Sequence, residues 1–116
     1  MQASRDKEQN KSYAAQGVRI VSAEYNDVPA LTAALAGTHV VISTISLFAI
    51  EAQVPIAEAA KAAGAQLFLP SEFGGANANQ LGVFGAKTKL HDKLREVGPP
   101  LLLVYTGSFS DYSFGP

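Results

Sequence analysis

Three short, uninterrupted apolar runs, separated by segments of helical spacing, constrain this chain more than any other feature. Val40, Val41, Ile42, Ser43, Thr44 and Ile45 form the clearest run. It does not alternate apolar with polar residues, and so has the pattern of a parallel strand covered on both faces. Leu67, Phe68 and Leu69, ended by Pro70, repeat the pattern, as does the stretch 101–105. The spacing between the runs predicts a helix over about 52–63, closed by Gly64, with Pro55 in its first turn. A second helix is predicted over 84–97, with Ala86, Leu90, Leu94 and Val97 as its buried stripe and Gly98, Pro99 and Pro100 as its stop. Parallel neighbours need crossovers of this length, so the repeated order predicts a parallel α/β sheet.

The first third of the chain extends the same order. Residues 6–16 predict a helix stopped at Gly17, and Val18, Arg19, Ile20 and Val21 a short strand. Asp27 reads as an N-cap, with Val28 and Pro29 at the first helical positions and Gly37 as the stop. Leu31, Ala34 and Leu35 recur between them at a spacing that covers a sheet. Residues 46–51 and the glycine-rich stretch 71–82 read as loops, and 106–116 as a glycine- and aromatic-rich tail.

With 116 residues the chain has room for one domain and a single core, and its 47% apolar content favours folding. Nine Lys plus Arg against ten Asp plus Glu leave a formal charge of -1. That offers no field to attract a nucleic-acid backbone or an anionic membrane. The absence of cysteine excludes disulfides, thiolate nucleophiles and thiolate-bound metals. His39 and His91 have no clustered carboxylates to make a metal constellation, and no metal site is expected. The amino terminus has no apolar stretch behind a basic head. The apolar runs break within about ten residues, too short for a spanning helix. The expectation is a soluble, cytoplasmic protein with neither nucleic-acid nor membrane partners.

Ligands of parallel α/β sheets bind beyond the carboxyl ends of the strands. That places residues 43–46, 71–75 and 106–109 at one rim, with Lys87 reaching it from a helix start. A lysine there can act as a general acid–base group or simply belong to a solvated basic helix face. His91 lies one turn further along the same face. Two readings also stand for Ser71, Glu72 and Phe73. They form the rim of a ligand site, or the first two cap a turn while Phe73 enters the core. Ser43, Thr44 and Ile45 line a ligand through backbone groups or are ordinary strand-end residues. His39 sits at the opposite rim and reads as structural.

Several segments together resemble the NmrA-like and isoflavone-reductase-like family of atypical short-chain dehydrogenases. They are Gly17-Val18 leading to Asn26-Asp27, the stretch 34–43, Leu69-Pro70-Ser71-Glu72-Phe73-Gly74, Lys87-Thr88-Lys89, and the stretch 106–111. The resemblance covers nearly all of the chain. It implies a Rossmann domain that binds NADP(H), followed by a smaller part shaping the pocket of a small-molecule substrate. Enzymic members reduce phenylpropanoid-type aromatic compounds; others bind the dinucleotide as non-catalytic regulators. The resemblance assigns Lys87 as the catalytic residue and Arg5 as the contact to the adenosine 2'-phosphate, through its guanidinium fork. It puts Ser43, Thr44, Ile45, Ser71, Glu72 and Phe73 along the cofactor. The tyrosine that ordinary short-chain dehydrogenases carry four residues before the lysine is replaced by Val83, in keeping with the atypical group.

Two departures from the family pattern shape the expectation. The opening strand and the Gly-x-x-Gly-x-x-Gly turn, whose amides hold the pyrophosphate, would lie before Met1. Gly74, Gly75, Gly82 and Gly85 have the wrong spacing to replace them. Most of the substrate part would lie after Pro116. Residues 1–116 are therefore expected to form a partial Rossmann-like domain, truncated at both ends, with weak or absent NADP(H) binding of its own. Two missing strands would leave a gap of about 10 Å beside residues 40–45. Its exposed edge would invite self-association or a protein partner. The expected function is that of a truncated NADP-dependent reductase acting on small aromatic substrates. The alternative is a dinucleotide-sensing or protein-binding regulator.

Overall fold

The computed structural model describes residues 8–72 and 83–107. The elements follow in the order α1 (Glu8–Ala15), α2 (Val28–Ala34), β1 (Val40–Ile42), a 3₁₀ helix (Leu47–Ala52), α3 (Gln53–Ala62), β2 (Leu67–Leu69) and α4 (Val83–Val97). β1 and β2 pair in parallel, with Val41 opposite Phe68. The next strand position is marked by one parallel bridge from Phe68 to Leu101. Pro100 O accepts from Phe68 N at 2.8 Å, and Phe68 O accepts from Leu102 N at 3.0 Å. The architecture is thus an α/β layer with a parallel, Rossmann-like and incomplete sheet.

The core lies between this sheet and one layer of helices. Val41, Phe68, Ile50, Ala57, Ala60, Leu90 and Leu94 are buried together, and α3 packs between α2 and α4. Small residues at Ala57, Ala59 and Ala60, all fully buried, let α3 pack closely among its neighbouring helices, with Ala57 and Ala60 in the core beside Phe68. Phe68 fills the space at the centre, and its burial contributes about 2–3 kcal/mol.

Local chemistry sets the element boundaries. Asp27 Oδ1 accepts from Ala30 N at 3.0 Å and caps α2, with Pro29 in the first turn. Gly64, at a φ of +78°, closes α3 in the left-handed region that a side chain disfavours. Lys61 of α3 reaches across to Val97 O at 2.7 Å and satisfies a carbonyl at the end of α4.

Four expectations are corrected. Residues 18–21 are not a strand: no described strand lies beside them to pair with, and Val18 and Val21 are exposed. Arg19 Nη2 instead donates to Ala34 O of α2 at 2.7 Å. β1 is covered on one face only. Val41 is buried while Val40 and Ile42 are 47% and 63% exposed, because the core residues of α3 and α4 pack on the Val41 side. The stretch 101–105 makes a single bridge rather than a strand, with Leu102 and Val104 exposed at the outer edge. Residues 46–51 are not an open loop: Ser46 stands at the N-cap and 47–51 lie within the 3₁₀ helix, kinked at Ala49, that feeds α3 and buries Ile50.

Candidate functional site

The site is built where β1 and β2 stop pairing. Their ladder alternates every second residue: Leu67 N donates to His39 O at 3.2 Å, and Ser43 N to Leu69 O at 2.8 Å. On the β1 side the next donor in this alternation is the amide of Ser71. In a continued ladder that amide would go to the carbonyl of Ser43. Here it donates to Gln53 Oε1 at 2.7 Å. Gln53 is the first residue of α3 and is fully buried. Its side chain thus ends the sheet at this point. The Ser71 hydroxyl donates to Ile45 O at 2.9 Å and ties the exits of the two strands together.

Glu72 follows, only 4% exposed. Two residues on α4, one turn apart, hold it. The Lys87 ammonium donates to the main-chain carbonyl of Glu72, and His91 Nε2 meets the Glu72 carboxylate Oε1. His91 is itself buried, whereas Lys87 is half-buried. Ser43 Oγ and Gln53 Nε2 are buried without a hydrogen-bond partner among the described residues. Such groups normally find one in protein, water or ligand.

The structure therefore brings together Ser71, Glu72, Lys87 and Ile45, the last through its carbonyl. Ser43 lies at the same strand end, buried, and Thr44 is exposed beside it. Arg5 and Phe73 lie outside the described residues, as do positions 73–75 and 108–109 of the expected rim. His39 sits at the opposite end of β1, where its carbonyl accepts from Gln66 N at 2.7 Å. No group of three or more His, Cys, Asp or Glu side chains able to hold a metal occurs among the described residues. No helix among them is long and apolar enough to cross a membrane.

Two residues that shape the site were not legible in the sequence. Gln53 stands at the start of an apolar helix, and nothing in its neighbours marks it as a partner for a strand end 18 residues later. The four-residue spacing puts His91 on the face of Lys87, but its pairing with Glu72 needs the tertiary fold.

The sequence pattern of the NmrA-like family matches residues 2–114. The chain belongs to the NmrA-like family. Among curated proteins it is 33% identical over 109 residues to isoflavone reductase homolog P3 of Arabidopsis thaliana, covering 88% of this chain and 35% of that protein. Among solved structures it is similar to one reported with pinoresinol-lariciresinol and phenylcoumaran benzylic ether reductases. There the TM-score is 0.77 and the identity 30%, over 95% of this chain and 39% of the other. The binary complex of leucoanthocyanidin reductase with NADPH from Vitis vinifera gives a TM-score of 0.76 at 26% identity, over 90% and 39% of the respective chains. An NADPH complex of a quinone oxidoreductase from Escherichia coli gives 0.75 at 28% identity, over 92% and 39%. The chain thus spans little more than a third of the length of these relatives. The likeness links it to reductases named for aromatic and quinone compounds and, in two of these structures, bound to NADPH.

Proposed function

We propose that residues 1–116 provide the nicotinamide side of an NADPH-dependent reductase acting on small aromatic, phenylpropanoid-like substrates. The observation that carries this reading is the placement of Lys87 at the paired exits of β1 and β2, with its ammonium held by Glu72 O. Ser43 Oγ and Gln53 Nε2, at the same strand end, are without partners among the described residues and are of the kind that pairs with the amide and hydroxyl groups of a nicotinamide nucleotide. Residues 1–116 contain no Gly-x-x-Gly-x-x-Gly pattern for the diphosphate, so the reading concerns the nicotinamide end alone.

When bound, the cofactor supplies the hydride. The chain's residues supply position and a proton. An ammonium has three donors. Glu72 O takes one and orients the group, which leaves two for a substrate oxygen. Lys87 then passes a proton to that oxygen as charge develops on it. The bond from the Ser71 hydroxyl to Ile45 O keeps the two strand exits in fixed relation. Arg5 and Phe73, expected along the cofactor, belong to this proposal by resemblance alone.

Reduced nicotinamide mononucleotide, which needs no diphosphate turn, is the direct probe. On titration, resonances of Ser43, Ser71 and Lys87 should shift saturably at concentrations on the order of millimolar. Absence of any shift there would overturn the reading. Reduction of a phenylpropanoid substrate by the chain with millimolar reduced nicotinamide mononucleotide as hydride donor should fall about a hundredfold in Lys87→Met, with the nucleotide-induced shifts of Ser43 and Ser71 retained.

A further inference from the structure

We infer that His91 is a positioning residue for Lys87, acting through Glu72. The inference deepens the reading of Lys87 as the proton-exchanging group and takes its functional meaning from it. Its observations are separate. Lys87 and His91 are four residues apart on α4, one above the other on a single face. Lys87 takes the main-chain carbonyl of Glu72, and His91 takes the carboxylate of the same residue. One helix therefore grips one residue at two points. From the strand side, Gln53 Oε1 holds the preceding amide, that of Ser71, at 2.7 Å. Glu72 is fixed before, at and beyond its α-carbon, and with it the oxygen that aims the lysine.

The chemistry of the pair favours this role over simple packing. Glu72 and His91 are 4% and 8% exposed, and holding such groups out of water is costly unless each has a partner. Apolar residues of similar volume stabilise a buried position at least as well as an ionisable pair does. What they lack is direction. Two other ion pairs of the helix lie at its exposed surface: Asp92 with Arg95 at 3.1 Å, and Lys93 with Glu51 at 2.9 Å. Among these pairs, His91 with Glu72 is the one that is buried, and it is the one beside Lys87.

The test is the hydrogen-exchange rate of the Lys87 ammonium in the full chain labelled in lysine side chains, with Lys87→Arg to assign the resonance. Losing a charge-assisted restraint should raise that rate about tenfold in His91→Leu. His91→Gln, which places an amide nitrogen near the position of Nε2, should restore the original rate. Backbone amide spectra establish that each variant is folded. Should the leucine variant fail to fold, His91→Asn, polar but too short to reach the carboxylate, is expected to show the same acceleration. An unchanged Lys87 exchange rate in a folded leucine or asparagine variant, or acceleration that glutamine does not reverse, would overturn the inference. The readout needs neither cofactor nor turnover. Failure of the mononucleotide titration would sink the proposed function while leaving this result standing, and the reverse also holds.

Discussion

Gln53 shows how much one side chain can decide. Its carbonyl oxygen captures the amide that would otherwise lengthen the sheet, and its own NH2 group is left without a partner among the described residues. Replacing it by alanine would leave the Ser71 amide buried and unpaired, a loss of about 2 kcal/mol. Chemical denaturation of Gln53→Ala should show that lower stability, along with displaced resonances for Ser71 and Glu72. The residues at this site were legible in unequal measure. Ser71, Glu72 and Lys87 stood out because a strand end and a helix start are local features that periodicity reveals. Gln53 and the contact of His91 with Glu72 depend on residues 18 and 19 positions apart meeting in space, and no spacing rule carries that information.

At the scale of elements, capping governs the ends that the sequence located well. Asp27 and Pro29 at the start of α2, and glycine after α3 and α4, act on neighbouring backbone alone, so their effect can be read locally. Asp27→Ala should cost about 1 kcal/mol of stability, measurable as a lower denaturation midpoint, with the fold otherwise unchanged. Strands behaved differently. Val18, Ile20 and Val21 have strand-forming side chains, yet a strand exists only when a neighbour completes its hydrogen bonds. Residues 18–21 have no such neighbour among the described residues, and the stretch 101–105 pairs at Leu101 alone. Propensity alone therefore overstated the sheet, whereas β2, flanked on both sides, matched its expected span of Leu67–Leu69.

For the whole molecule, the layer has one covered face and one open face among the described residues. Val40 and Ile42 project from the open face of β1, and Phe48 and Leu102 are exposed elsewhere. Exposed apolar side chains on an unprotected strand edge promote association with further copies. Ile42→Lys should reduce concentration-dependent association in light scattering while changing folding stability by less than about 0.5 kcal/mol. The parallel α/β class was legible at this scale because the apolar runs and the crossover lengths agree. The one-sided cover was not, since an uninterrupted apolar strand reads the same with or without its second layer. Arg19 adds a consequence of its own. Because its guanidinium ends on the last helical carbonyl of α2, the leading segment hangs from that helix as a pendant does from its hook. Unwinding the final turn there would release that one mooring while the pairing of β1 with β2 stayed closed.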